Sequence, residues 1–314
     1  MKTKTAATAQ RLPQRRKNKS FSRRNIPLHL LLLPSLILVF IYKYIPMAGS
    51  VIAFQNFKLS KGVFGSEWVG WKNFEYVLNL PDFWPIIRNT LRIAIGKLVL
   101  NLVVPVVVAL MLNELANMKL KRSIQTLLYI PNFLSWIILA GMFSDVLGTN
   151  GIVNTILESL GLNPIPFLTS DQYFPGTMIT TDVWKNFGYG TIVYLSALAS
   201  IDPALYESAR MDGANRWQQT LHVTLPGLSS TIVLMALLSM GSVLNAGFDQ
   251  IYNLLNPMVQ GSGQVIDTFV YKMSMSNGMY GPATALGLMN SLVSFTLVSL
   301  GYILADKFLD YRIF

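Results

Sequence analysis

The chain has no cysteine and only two histidines in 314 residues. The first absence excludes a disulfide framework and a thiol nucleophile, and the two together argue against a structural zinc site. Charge is scarce as well: 13 % of residues are charged, against about 25 % in soluble domains. Hydrophobic residues make up 52 %, and mean hydropathy is +0.44. These values describe a membrane protein. No Gly-x-x-x-x-Gly-Lys-Ser/Thr phosphate loop is present, the nearest fragment being Gly96-Lys97 inside an apolar run. Gly188-Tyr189-Gly190 lacks the third glycine of a dinucleotide site, and Gly261-Ser262-Gly263 reads as a loop turn. His29 and His222 fall in different segments and cannot form a catalytic dyad. Enzymatic chemistry is disfavoured, and no metal or other cofactor is expected in this chain.

What charge there is sits unevenly. The net charge is +10, and nine of the 25 basic residues fall in the first 26 positions, with no acid among them. Next to a long apolar run such an arm holds its end in the cytoplasm and touches anionic lipid, so the excess of basic residues points to a membrane and not to nucleic acid. No cleavage-site pattern follows the run that starts at Leu28, so it reads as an anchor.

A bilayer core of about 30 Å takes about 20 apolar helical residues. Six windows qualify: 27–48, 89–113, 124–147, 176–199, 227–247 and 283–305. The fourth is the weakest, because it carries Asp182, Lys185 and Asn186. Backbone in lipid must bond within its own segment, so these are helices, with kinks predicted at Pro34, Pro105 and Pro131. With the amino terminus inside, the inner segments hold 16 basic residues and the outer ones 5. That asymmetry places both termini in the cytoplasm. The expected fold is an all-α membrane protein: a basic cytoplasmic arm over 1–26 and a transmembrane domain over 27–314. The outer stretches 66–74 and 150–154 should pack over the outer face.

The longest internal cytoplasmic segment, 200–226, looks organised. Asp202 as N-cap and Pro203 at the first helical position start a helix that Gly213 ends. A second short helix should run through Leu221 and stop before Pro226. The helical pattern alone fits a partner-docking unit and a connector lying on lipid equally well.

Within this loop stand Glu207-Ser208-Ala209-x-x-Asp212-Gly213-Ala214 and then Leu225-Pro226-Gly227. This resembles the EAA motif of the membrane subunits of binding-protein-dependent ABC importers, with Ser208 replacing the family's second alanine and Ser230 where many members have proline. Trp68 to Phe74, Asn89-Thr90-Leu91, Leu112 to Leu115 and Gln125-Thr126-x-x-Tyr129-x-Pro131-Asn132-Phe133 are similar to the LplB-like polysaccharide permeases, many of which carry histidine at the place of Asn132. The resemblance implies a bacterial cytoplasmic-membrane permease for an oligosaccharide, with a non-sugar solute or a secondary transporter as alternatives. It also implies a second homologous permease, two cytoplasmic ATPase subunits that bind ATP and Mg, and an extracytoplasmic solute-binding protein. Glu207, Ser208, Ala209, Arg210, Asp212, Gly213 and Ala214 then form the ATPase-coupling segment of a two-helix loop between the fourth and fifth spans.

For the substrate pathway the candidates are the intramembrane charges Lys97, Asp182 and Lys185 with their neighbours Trp184, Asn186 and Tyr189. A buried charge persists where it meets a partner or a cavity. Asp182 and Lys185, three apart on one helix, either pair with each other or join the aromatic and amide groups in binding sugar. A spare charge on Lys97 would favour an acidic oligosaccharide.

Overall fold

The computed structural model describes residues 26–241 and 243–309, so that all of the basic arm except Ile26 lies outside the described residues, as does the carboxyl end from Asp310. The chain divides after Ser50 into two compact units. Among the described residues, five helical stretches are long and apolar enough to cross a membrane: His29–Phe54, Phe83–Asn113, Trp136–Ser159, Arg216–Met240 and Tyr280–Ile303. Phe174–Leu198, at 25 residues, is equally long but carries Thr180, Thr181, Asp182, Lys185 and Asn186, and is not among the five.

The first unit holds α1 (Ile26–Val39), which runs on through a π turn at Phe40–Tyr44 into Ile45–Met47. Pro46 has no N–H to donate. The wider turn absorbs that gap, with the Ile45 N–H reaching the Phe40 carbonyl five residues back.

The second unit opens with a two-stranded antiparallel ribbon, β1 (Gln55–Asn56) and β2 (Glu67–Trp68), with Gln55 opposite Trp68 and Asn56 opposite Glu67. The Phe54 ring stacks on Trp68 at 5.5 Å and meets the Trp71 ring edge-on at 5.4 Å. Asn73, on α2 (Lys72–Leu78), donates to the Ala53 and Gln55 carbonyls and fixes this corner. The longer helices follow: α3 (Phe83–Asn113), α4 (Met118–Phe133), α5 (Trp136–Leu147), α6 (Ile152–Ser159) and α7 (Phe174–Leu198).

The third predicted span is thus two helices. Pro131 leaves the Leu127 carbonyl without its usual donor, Leu134 turns to the extended conformation, and the Ser135 hydroxyl accepts from the Ile138 N–H to start α5. The predicted kink at Pro131 is a full break three residues later. Pro105, by contrast, lies inside the uninterrupted α3.

Helix α7 packs along α3 and α4 because three glycines let it approach. A methyl at Gly188 would stand 1.9 Å from the Leu128 carbonyl oxygen of α4, and one at Gly190 would stand 2.9 Å from the Pro105 ring. At Gly96, on α3, an added methyl would lie 2.5 Å from Ile179. The Leu128 contact is with backbone and cannot give way. Gly188→Ala is therefore expected to lower the stability of the purified protein by at least about 1–3 kcal/mol. Gly176→Ala, in the same helix with open space around it, should be neutral or stabilising by up to about 1 kcal/mol. Thermal unfolding of the two variants in detergent compares them directly.

The inner loop and fifth span differ from the sequence expectation. Helix α8 (Pro203–Met211) is followed by α9 (Arg216–Gln219), a π turn at Thr220–Thr224 and α10 (Leu225–Met240) with no interruption. Pro226 does not stop the second loop helix. As at Pro46, the π turn shifts the pairing, and the Leu225 N–H reaches the Thr220 carbonyl. The helix also ends at Met240, short of the predicted 247, and Gly247 takes a left-handed φ of +90°. Then come α11 (Phe248–Leu254), α12 (Ile266–Tyr271) and the long α13 (Tyr280–Leu309).

Residues 248–266, read as part of an outer loop, fold back among the helices. Ile251, Leu254, Val259 and Val265 are buried in one cluster with Ile93 of α3, Leu139 and Phe143 of α5, and Phe174 and Met178 of α7. Non-helical backbone at this depth is tolerated where protein surrounds it.

Candidate functional site

Two features stand out: a buried polar network between α3, α7 and α11, and the inner-face loop. In the network, Lys97 lies 14 residues into α3, about 21 Å from its start at 1.5 Å per residue. Its ammonium pairs with the Asp182 carboxylate of α7 at 3.3 Å. It also donates to the Ala246 carbonyl at 2.6 Å and to the side-chain oxygen of Gln250. Gln250 is fully buried, and its amide donates to the Met178 carbonyl and to the Thr181 hydroxyl, each at 2.8 Å. Asp182 accepts from Asn101 at 3.0 Å and from Asn186 at 3.2 Å. Asn186 in turn accepts from Asn132 at 3.2 Å, which carries the network to α4.

This arrangement corrects two sequence expectations. Asp182 is not paired with Lys185 but with Lys97, so Lys97 is not a spare charge. Spacing along one helix made Asp182 and Lys185 neighbours, but the close approach at Gly96 and Gly190 brings Lys97 nearer. Lys185 points the other way. Its ammonium donates to the Leu134 carbonyl at 2.6 Å and the Asn132 carbonyl at 3.2 Å, where α4 ends, and lies 5.4 Å from the centre of the Trp136 ring.

The aromatic candidates do not act together. Trp184 and Tyr189 lie about 140° apart around α7. Trp184 meets the Phe143 ring edge-on at 5.5 Å, whereas Tyr189 is exposed on the side of Asp182 and Asn186. Gln250 and Ala246 escaped the sequence reading. For Gln250 the available signal is the helical spacing of Ile251, Leu254 and Leu255; Ala246 contributes only a backbone carbonyl, which no side chain marks in the sequence.

In the inner loop, the Asp202 carboxylate accepts from the Ala204 N–H and starts α8. At its end the Ala214 N–H bonds the Ala209 carbonyl and the Gly213 N–H bonds the Arg210 carbonyl, with Gly213 at φ +80°. This is the Schellman closure. Asn215 and Gln218 form a capping box that starts α9 immediately afterwards. The hydroxyls of Tyr206 and Thr224 hydrogen-bond at 3.1 Å, tying α8 to the π turn, and Arg216 pairs with Glu114 at the end of α3 at 2.8 Å.

Glu207, Ser208, Arg210, Asp212 and Gly213 are exposed, while Ala209 and Ala214 are half-buried. The side chains of Arg210 and Asp212 pair with no described residue. Beside α8 lies a groove of about 1270 Å³, walled by Leu110, Glu114, Tyr206, Glu207, Arg210 and Trp217. Among the described residues no group of three or more His, Asp or Glu side chains is placed to hold a metal ion.

Residues 80–310 match the family described as the binding-protein-dependent transport system inner membrane component. The chain belongs to this family. It is a multi-pass permease subunit of a binding-protein-dependent ABC importer, of a family whose members are not themselves enzymes. The relatives include the polygalacturonan/rhamnogalacturonan transport system permease protein YteP of Bacillus subtilis, 38 % identical, covering 90 % of this chain and 88 % of the relative. Protein LplB of Bacillus subtilis is 39 % identical and covers 90 % and 89 %. A crystal structure of a bacterial ABC transporter involved in the import of the acidic polysaccharide alginate contains a chain 34 % identical to this one, with a TM-score of 0.83 over 91 % of this chain and 96 % of that one. The same kind of transporter has been crystallised in complex with an alginate pentasaccharide-bound periplasmic protein, with a TM-score of 0.83 at 33 % identity over 90 % of this permease and 95 % of that chain.

Proposed function

We propose that this permease forms half of the translocation pathway for an acidic oligosaccharide and is driven by cytoplasmic ATPases through residues 202–224. The observation that carries the coupling half is the unbroken path from α9 through the π turn into α10. A push on α8 is passed by Gly213 and the Tyr206–Thr224 contact to a membrane helix with no flexible linker between. Glu207, Ser208, Ala209, Arg210, Asp212, Gly213 and Ala214 make up the surface that docks on the ATPase. The acidic substrate is inferred from the polygalacturonan/rhamnogalacturonan and the acidic polysaccharide alginate named for the relatives. Lys97, Asp182, Trp184, Lys185, Asn186 and Tyr189 belong to the pathway wall.

In this reading residues 27–314 form a six-helix transmembrane domain in a bacterial cytoplasmic membrane, Phe174–Leu198 included, with both termini inside. The partners are a second homologous permease, two ATPases that bind ATP and Mg, and an extracytoplasmic solute-binding protein. Reconstituted with these partners, the permease should import tetragalacturonate only when ATP is supplied inside. Import driven by an ion gradient without ATP would refute the assignment.

The topology has its own test. With no native cysteine, single thiols report cleanly. Asn154 is a poor reporter position, since it is buried and bonds the Gly148 and Ile165 carbonyls. Ser159 and Ser123 are exposed. In intact cells Ser159→Cys should react with an impermeant maleimide and Ser123→Cys should not. The opposite pattern would invert the orientation.

A further inference from the structure

Three charged side chains meet on α7 and its neighbours, and they do not cancel. Lys97 and Asp182 form an ion pair at 3.3 Å. Lys185 forms no ion pair with any described residue. The other carboxylates on the surrounding helices, Asp145 of α5 and Asp249 of α11, are exposed and pair with neither lysine. The ammonium of Lys185 is buried, yet it is solvated only by dipoles: the Leu134 and Asn132 carbonyls and the face of Trp136. Such groups stabilise a cation without neutralising it. A full positive charge held at membrane depth costs roughly 2.5–3.5 kcal/mol on insertion scales, so its retention calls for a use.

We propose that Lys185 is the charge-selecting residue of the permease: its uncompensated ammonium sets a positive potential along the α7 wall that favours anionic, carboxylate-bearing sugars, whereas Lys97 and Asp182 are a neutral lock that contributes no selectivity. This rests on the pathway reading given above and assigns the selection to one group within it. Lys185 need not touch the substrate. A unit charge acts through space in a low dielectric, and the exposed Tyr189 and half-exposed Trp184 flank it on α7.

The rival account is that Lys185 merely caps the end of α4, and three substitutions separate the two. Lys185→Arg keeps charge and donors, Lys185→Gln keeps donors without charge, and Lys185→Met keeps neither. Each is reconstituted with the partner permease, the ATPases and the binding protein, checked for intact assembly, and assayed for uptake of tetragalacturonate. Arg should stay within about twofold of wild type. Gln and Met should both fall about tenfold, the effect of one unit charge about 10 Å away at an effective dielectric of about 20. Wild-type uptake by the Gln variant overturns the proposal, as does a Gln variant that fails to assemble while Arg assembles, since either makes the lysine a cap only. If the wild-type complex imports no tetragalacturonate but does import a neutral oligosaccharide, the acidic-substrate reading itself fails.

Discussion

Gly213→Pro should leave the permease inserted and assembled with its ATPases yet reduce transport and substrate-stimulated ATP hydrolysis to background. Proline holds φ near about −65°, whereas Gly213 needs +80°. It also removes the N–H that bonds the Arg210 carbonyl, so the closure of α8 opens and the direction of the helix relative to α9 is lost. Gly213→Ala separates shape from bulk. A methyl there meets nothing within 4 Å, so the variant suffers only the left-handed strain of about 1–2 kcal/mol. It should keep part of the activity. Glu207→Lys tests docking without touching the fold, because Glu207 is exposed and bonded to no described side chain. Loss of stimulation there with normal assembly places the ATPase contact on α8. Wild-type stimulation in both Gly213→Pro and Glu207→Lys would reduce 202–224 to a connector.

How far the sequence could foresee these sites depended on whether the deciding interaction was local. The start and end of α8 were legible because capping at Asp202 and the left-handed turn at Gly213 involve residues within five positions of each other. The continuation past Pro226 was not, because the π turn at Thr220–Thr224 shifts the pairing ahead of the proline and absorbs its missing N–H, and nothing in the local sequence announces that turn. The break after Pro131 was foreseen as a kink; the Ser135 cap that makes it a break is itself a recognisable signal. The partner of Asp182 was beyond reach. A periodicity argument sees Lys185 on the same helix, but Lys97 is brought in by α3–α7 contacts between residues far apart in the chain, Gly96 with Ile179 and Gly190 with Pro105. Gln250 was missed for the related reason that 248–266 was assigned by its place between two spans, although its apolar residues are spaced to bury one face.

The Lys97–Asp182 pair makes the second large effect. Lys97→Met leaves the Asp182 carboxylate to Asn101 and Asn186 alone and strips the donor from Gln250 and from the Ala246 carbonyl. Removing one member of a buried pair costs about 3–5 kcal/mol, and Asp182→Leu should cost a similar amount by stranding the ammonium. The double variant Lys97→Met/Asp182→Leu removes both charges. What remains is neutral: the Gln250 oxygen and the Ala246 carbonyl lose a donor, and the Asn101 and Asn186 amides lose an acceptor, each at about 1–3 kcal/mol where water does not replace the partner. The double should therefore lose clearly less than the sum of the two single losses, a coupling too large for independent sites. The midpoint of heat-induced aggregation of the purified complex measures it, and additive losses would show that the two side chains are not a lock. The same double variant carries a sharper consequence. Its net charge in the network is unchanged, so wherever the complex assembles its preference for carboxylate sugars should match wild type, while Lys185→Gln in the same assay loses it.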